Sequence, residues 1–304
     1  MPIASDSFTG VDLSRLPAPD VIEALDYETI RSAALVQFQA LCDAAGVPFD
    51  AAIESDPVVK VIELFAYREL ALRQRVNDTA RAVMVAFATG ADLDHLAALF
   101  GVERFIVTPA DPDAGTAAVL ESDDDFRRRL VLAPEGYSVA GPEGAYIFHA
   151  LSADGDVLDA SVTSPDPGEV VVAVLARSGD GTAAPDLLAT VEARLTDDSV
   201  RPLTDHVTVQ SADILDFAVT ATLTFLSGPD RAIVLASAQA RLDTHLAEIR
   251  RLGRDVTRAG IIAALHPPGV QNVALASPAA DIVLTRLQAG HCTGIAITDG
   301  GVAE

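Results

Sequence analysis

Cysteine is nearly absent from this chain: two residues, Cys42 and Cys292, stand far apart in 304. That spacing suggests neither a zinc cage nor a disulfide framework, so both read as reduced thiols. Long apolar runs are missing too. No stretch of 18 or more residues is apolar and uncharged enough to span a bilayer. The opening MPIASDSFTGVDL has no basic start and no apolar centre, so it does not read as a secretory signal. Positive charge is scarce, with 21 Lys and Arg against 44 Asp and Glu and a net charge of −23. A field of that sign repels phosphate backbones and anionic head groups, which argues against nucleic acid or membrane as a main partner.

Signatures of chemistry are missing as well. His95, His149, His206, His245, His266 and His291 form no HExxH and no pair at metal-ligand spacing. No GxSxG, P-loop, GxGxxG or kinase motif occurs. Carboxylates are abundant, but abundance alone does not make an acid–base pair. No catalytic, cofactor-binding or metal-binding residue is therefore assigned.

What is present is a globular composition, half hydrophobic and long enough for two or three cores. Residues 1–20, with Pro2, Gly10, Pro17 and Pro19, read as an extended arm. Ile30, Ala34, Phe38, Leu41 and Ala45 recur at helical spacing over 21–45, and Gly46 and Pro48 end that helix. Asp56-Pro57 then sets an N-cap before a proline at the first helical position, and no glycine or proline follows until Gly90. Val58, Ile62, Phe65, Leu72, Val76, Ala80, Val83 and Phe87 form one apolar stripe. A helix over 57–89 would be roughly 50 Å long, more than the width of a compact domain of about 100 residues. Part of the stripe is thus expected to bury against another chain. The predicted partner interface is Val58, Ile62, Phe65, Arg68, Leu72, Arg73, Val76, Val83 and Phe87. The arginines beside it, Arg68, Arg73, Arg75 and Arg81, fit a solvated helix face or an interface equally well.

A short helix is predicted over Asp92–Phe100, closed by Gly101. Thr89–Val102 resembles the first helix and turn of a helix-turn-helix, but Glu103–Pro109 is β-branched and ends in proline, which favours a helical hairpin. Asp123-Asp124-Asp125 ahead of Phe126-Arg127-Arg128-Arg129 is either a metal site or a helix start that complements the helix dipole. Neighbouring carboxylates at a helix start diverge, which favours the second.

From 141 onward helices and strands alternate. Helices are predicted over 142–151, 185–196, 229–249 and 257–266. Strands are predicted over 157–163, 169–175, 206–210, 214–226, 270–276 and 281–285, with 290–304 a small, polar, glycine-bearing tail. Asp156–Pro165 aligns without gaps to Gly269–Pro278, each copy following a helix that ends in Ala-Leu. This fits either two related helix–hairpin units or chance similarity between hairpins. The fold class is α+β and multidomain: an arm over 1–20, a long-helix bundle region over 21–105, a connector over 106–140, two small α+β domains over 141–211 and 212–288, and a tail over 289–304.

The run DPVVKVIELFAYRELALRQRVNDTARAVMVAFATGADLDHLAALFGVER, from Asp56 to Arg104, resembles the signature region of the baseplate J-like family. So do DDDFRRRLVLAPEGYSVAGPEGAYIFHALSADGDV, GEVVVAVLARSGDGT, VRPLTDHVTVQS and LGRDVTRAGIIAALHPPGVQNVALASP, in order, over about 20–290. The resemblance implies a structural wedge protein of a contractile phage tail or tail-like particle, without catalytic residues, cofactor or metal. It implies assembly in the cytoplasm and a place in the baseplate, with copies of the chain in a ring around the hub. It also implies contacts with a smaller baseplate I-like chain and a wedge lysozyme-like protein. The N-terminal helices would join a bundle with neighbouring chains, and the C-terminal domains would make wedge-to-wedge contacts. The alternative weighed against it is a tail-associated cell-wall hydrolase, which requires two facing acids with a raised pKa.

Overall fold

The computed structural model describes residues 23–50, 53, 55–139, 141–228 and 230–303, with residues 13, 16, 17 and 19. Apart from those four positions, the arm expected over 1–20 lies outside the described residues. The architecture is α+β, and the chain divides into a unit over 12–101 and a unit over 102–304.

The first unit is helical. α1, Tyr27–Ala45, starts where the Asp26 carboxylate accepts from the Glu28 amide and stops at Gly46, whose φ of 65° suits a residue without Cβ. α2, Pro57–Ala82, opens as predicted, with Asp56 accepting from the Val58 amide at 2.7 Å. It ends seven residues earlier than the sequence predicts, so at 26 residues it is about 39 Å long. The chain leaves the helix at Val83, and a turn closes through Met84 N to Arg81 O and Phe87 N to Met84 O. Val83 and Val85 are β-branched and favour the helix weakly, and the turn brings Ala88 into a buried position. Gly90, expected as the cap of the long helix, instead opens α3, Gly90–Ala98, with a φ of 52°.

α1 packs on α2 through Ile30 and Cys42 on one side and Val59, Ile62 and Ala66 on the other. Polar contacts hold the same seam. Arg31 pairs with Glu63 at 3.2 Å, and the side-chain amide of buried Asn77 donates to Glu23 O and accepts from Glu23 N.

The second unit begins with a small antiparallel pair, β1 (Ile106–Thr108) and β2 (Val119–Leu120). α4, Asp123–Leu132, follows, with the Ser122 hydroxyl capping the Asp125 amide, and then a tight 3-10 turn over Ala133–Tyr137. α5 (Glu143–Leu151), β3 (Val157–Thr163), β4 (Glu169–Ala176), α6 (Pro185–Leu195) and β5 (His206–Ser211) build the first sheet, ordered β3-β4-β5. β3 and β4 are an antiparallel hairpin, and β5 returns parallel to β4 after the α6 crossover. Val172, Val174, Ile147, Ala150, Val191 and Leu195 fill its core.

The second sheet is ordered β7-β6-β8, from β6 (Asp213–Phe225), β7 (Val270–Ser277) and β8 (Gln288–Val302), with α7 (Arg231–Ile249) and α8 (Arg258–Ala264) between β6 and β7. Val219, Leu223, Phe225, Ala238, Leu242, Ile261 and Leu265 fill its core. Only Ala212 separates β5 from β6. Its amide bonds Val174 O in the first sheet, and the next amide, of Asp213, bonds Leu287 O beside the second. A third cluster of Ala173, Leu175, Ala212, Leu252 and Ala289 joins the two sheets.

Three sequence expectations change here. The predicted strand over 281–285 is an isolated bridge, Val256 to Ile282. The expected tail over 289–304 is largely β8, a fifteen-residue strand that runs parallel to β6. Its alternation is hidden by a register shift: Phe217 faces Cys292, yet Ala218 faces Gly294. The extra residue, Thr293, switches parity, so that Cys292 and then Ile295 and Ile297 all pack on the core. The proposed repeat recurs in its helix–strand half, α5 into β3 and α8 into β7. Its hairpin half does not recur, because β7 and β8 sit on opposite sides of β6. Both sheets nonetheless place a central strand between one antiparallel and one parallel neighbour.

Candidate interaction surface

α2 presents two apolar faces. At about 100° per residue, Val59, Ile62, Ala66 and Asn77 share the face turned to α1. Val58, Val61, Phe65, Leu72 and Val76 share a second face, rotated by about 110° and exposed to solvent. Phe65 and Leu72 are each 65% exposed and Val76 is 59% exposed, so this face has no partner in the described residues. This strip is the candidate interaction surface.

The nine residues predicted for the interface divide accordingly. Val58, Phe65, Leu72 and Val76 lie together on the open face, with Arg68 on the same line. Ile62 is buried against α1. Arg73 turns away to Glu69 (2.7 Å) and Glu23 (2.9 Å), and its pKa is raised, first by the hydrogen bonds it donates to the Glu69 carboxylate and then by the charge of Glu23. Val83 is exposed and Phe87 half-buried, both in the turn after the helix. Reading one stripe at 3.6-residue spacing merged two faces. Val61 was missed, although its steps of three from Val58 and four to Phe65 are the seven-residue signal that singles it out.

A second polar centre lies in the unit over 102–304. The Asp125 carboxylate takes Arg177 at 2.8 Å on one oxygen and Arg251 at 2.6 Å on the other. Burial works to raise its pKa, but the two guanidinium groups outweigh it and hold the carboxyl below its usual value. Asp159, fully buried, pairs with Arg128 at 2.7 Å and accepts from the Leu252 amide at 2.9 Å. The charge of Asp159 raises the pKa of Arg128. Arg129 and Glu121, both buried, pair at 2.6 Å. These groups leave a cavity of about 10 Å³, lined by Glu121, Asp125, Arg128 and Arg177, room for about one water. The centre is a clamp between α4 and the two sheets.

The three consecutive aspartates diverge, as the helix-start reading requires: Asp123 reaches Arg104, Asp124 reaches Arg127 and Asp125 reaches Arg177 and Arg251. The helix-turn-helix reading fails, because the chain after Val102 is extended and enters β1. A hydrolase site needs a raised acid. The described carboxylates with a perturbed pKa, Asp26, Glu63, Asp125, Asp180 and Asp197, all move down. Burial lowers His149 and His245, which favours their neutral forms.

Known proteins give a consistent picture. Residues 54–111 match the model of the baseplate J-like N-terminal domain, 138–211 that of the baseplate J-like central domain, and 217–298 that of the baseplate J-like protein C-terminal domain. The chain is 48% identical over 299 residues to baseplate protein J of Escherichia phage P2, covering 97% of this chain and 99% of that one. Among solved structures it resembles a chain of the anti-feeding prophage baseplate, with 17% identity and a TM-score of 0.39. That match covers 56% of this chain and 42% of the other.

Proposed function

The chain belongs to the baseplate J-like family, and on that footing we propose that it is a structural component of the baseplate of a contractile phage tail or tail-like particle. A 48% identity to a phage baseplate protein over nearly the full length of both chains carries this reading. The apolar face of α2, open in the described residues, supports this reading as the surface that assembly would close. We further propose that it occupies the wedge, in copies ringed around the hub, beside a smaller baseplate I-like chain and a wedge lysozyme-like protein. On this reading it is built in the bacterial cytoplasm and has no catalytic role. Its buried carboxylates and arginines support this, since they are taken up in ion pairs with one another.

Phe65→Asp and Leu72→Asp test the reading. Both positions are exposed in the free chain, so each variant should keep the circular dichroism and melting temperature of the parent. Each should fail to enter particles when it replaces the parent gene. Normal yields of contractile particles from both variants would refute the proposal that α2 is an assembly surface.

A further inference from the structure

The two sheets of the unit over 102–304 are joined thinly. Among the described residues their linking cluster has five buried apolar members, three of them alanine, against seventeen and sixteen in the sheet cores. The covalent join is Ala212, the one residue between β5 and β6. Polar contacts cross the same joint, and their signs are sorted. The second sheet's side offers arginines, on a strap over 250–252 after α7 and at Arg286 ahead of β8. The first sheet's side offers acceptors. Arg251 reaches Asp125 at 2.6 Å and Leu158 O at 3.4 Å, and Arg250 reaches Gly179 O at 2.9 Å. The Leu252 amide donates to Asp159 at 2.9 Å, and Arg286 pairs with Glu143.

This joint is under-bonded. Arg128 Nη1, Arg250 Nε and Arg286 Nε are buried with no hydrogen-bond partner among the described residues. A buried donor without an acceptor costs free energy that water would return. Burial also pushes the pKa of Arg250 down, because it disfavours the charged form. Parting the joint, by contrast, orphans neither buried acid. Asp125 keeps Arg177 at 2.8 Å and Asp159 keeps Arg128 at 2.7 Å, and both of those arginines lie on the first sheet's side. Boundaries between modules that are polar and poor in large apolar contacts permit relative motion.

We infer that the unit over 102–304 is two bodies hinged at Ala212 and latched by the 250–252 strap, so that the second sheet, with α7 and α8, swings away from the first while both cores stay folded. Asp125 and Asp159 are the catch. Each is held in place by an arginine of its own side and takes hold of the strap as a second partner. Opening returns Arg250, Arg251 and Arg286 to water.

Single-molecule energy transfer on the full chain tests this. One dye pair sits on Leu203→Cys and Ile233→Cys and a second on Tyr137→Cys and Val283→Cys, all exposed positions on either side of the joint, in a Cys42→Ser/Cys292→Ser background. The parent should show one dominant efficiency for each pair. Asp125→Asn and Arg250→Gln/Arg251→Gln should each raise a second population about ten-fold or more, while amide exchange in central β4 and β6 stays within about two-fold of the parent, as a sub-global opening requires. Arg254→Gln is the control, since Arg254 bonds Glu248 O within its own side, and it should behave as the parent. A single unchanged population with both dye pairs overturns the inference. So does a second population that appears only with lost protection in β4 and β6, or failure of both variants to fold, because joint and cores would then be one cooperative unit. An equal effect of Arg254→Gln overturns it too, since loss of any nearby charge would then suffice.

Discussion

The two units solve the problem of burial in opposite ways. Over 102–304 the apolar residues close on themselves in two sheet cores and a linking cluster. Over 12–101 eight hydrophobic residues are buried, while fifteen of the twenty-five large exposed hydrophobics among the described residues lie there. The difference is one of geometry. A three-stranded sheet covered by helices can hide one whole face. Two antiparallel helices hide one stripe each and leave the rest to solvent or to a partner. A region with a thin core and an apolar exterior reaches its full burial only in a complex, whereas a closed one is complete alone.

That contrast can be challenged by matched substitutions. Phe225→Ala removes a fully buried ring from the second sheet and should destabilise the unit over 102–304 by about 3–5 kcal/mol, read as a lower melting temperature and lost amide protection in β6. Asn77→Ala strips both hydrogen bonds that tie α2 to Glu23 and should cost about 1–3 kcal/mol, with the loss confined to exchange in α1 and α2. Acid should separate the units too. The Asp125 carboxyl is lowered from 3.8 in the folded protein, so its contribution is present above that pH and fades as pH falls through the folded value. Asp125→Asn should flatten the acid limb of the stability profile of the unit over 102–304 and leave α2 exchange unchanged. The smallest effect belongs to Phe65→Ala. The ring is mostly in water, and the free chain should change by no more than about 0.5 kcal/mol. A loss as large as that of Phe225→Ala would mean that the open face is already buried.

How much of this was legible in the sequence follows the same divide between local and distant causes. Asp56-Pro57, Gly46 and the strand-forming runs at β3 and β4 act on their immediate neighbours, and the elements they predict are present. The end of α2 was misplaced because Val83 and Val85 favour the helix only weakly and the chain turns there to bury Ala88. β8 was missed because Thr293 breaks its alternation and its glycines imitate a tail. The ion pairs of Asp125 join residues 52 and 126 positions apart, a separation that no periodicity can encode. The interaction face was half legible. Four of its five apolar residues, Val58, Phe65, Leu72 and Val76, were in the predicted set and Val61 was not; which of them point outward depends on where α1 lies, and that is a tertiary fact.

The near-continuity of β5 and β6 has a mechanical side. From His206 to Phe225 the backbone runs extended through both sheets with a single residue between them, flanked by parallel neighbours β4 and β8. Tension along this run passes from one sheet to the other with no slack linker to take it up. It loads rows of hydrogen bonds in shear, all at once, instead of peeling them one by one. Pulled along this run, the unit over 102–304 is therefore expected to yield as one piece, because a single residue joins its two sheets.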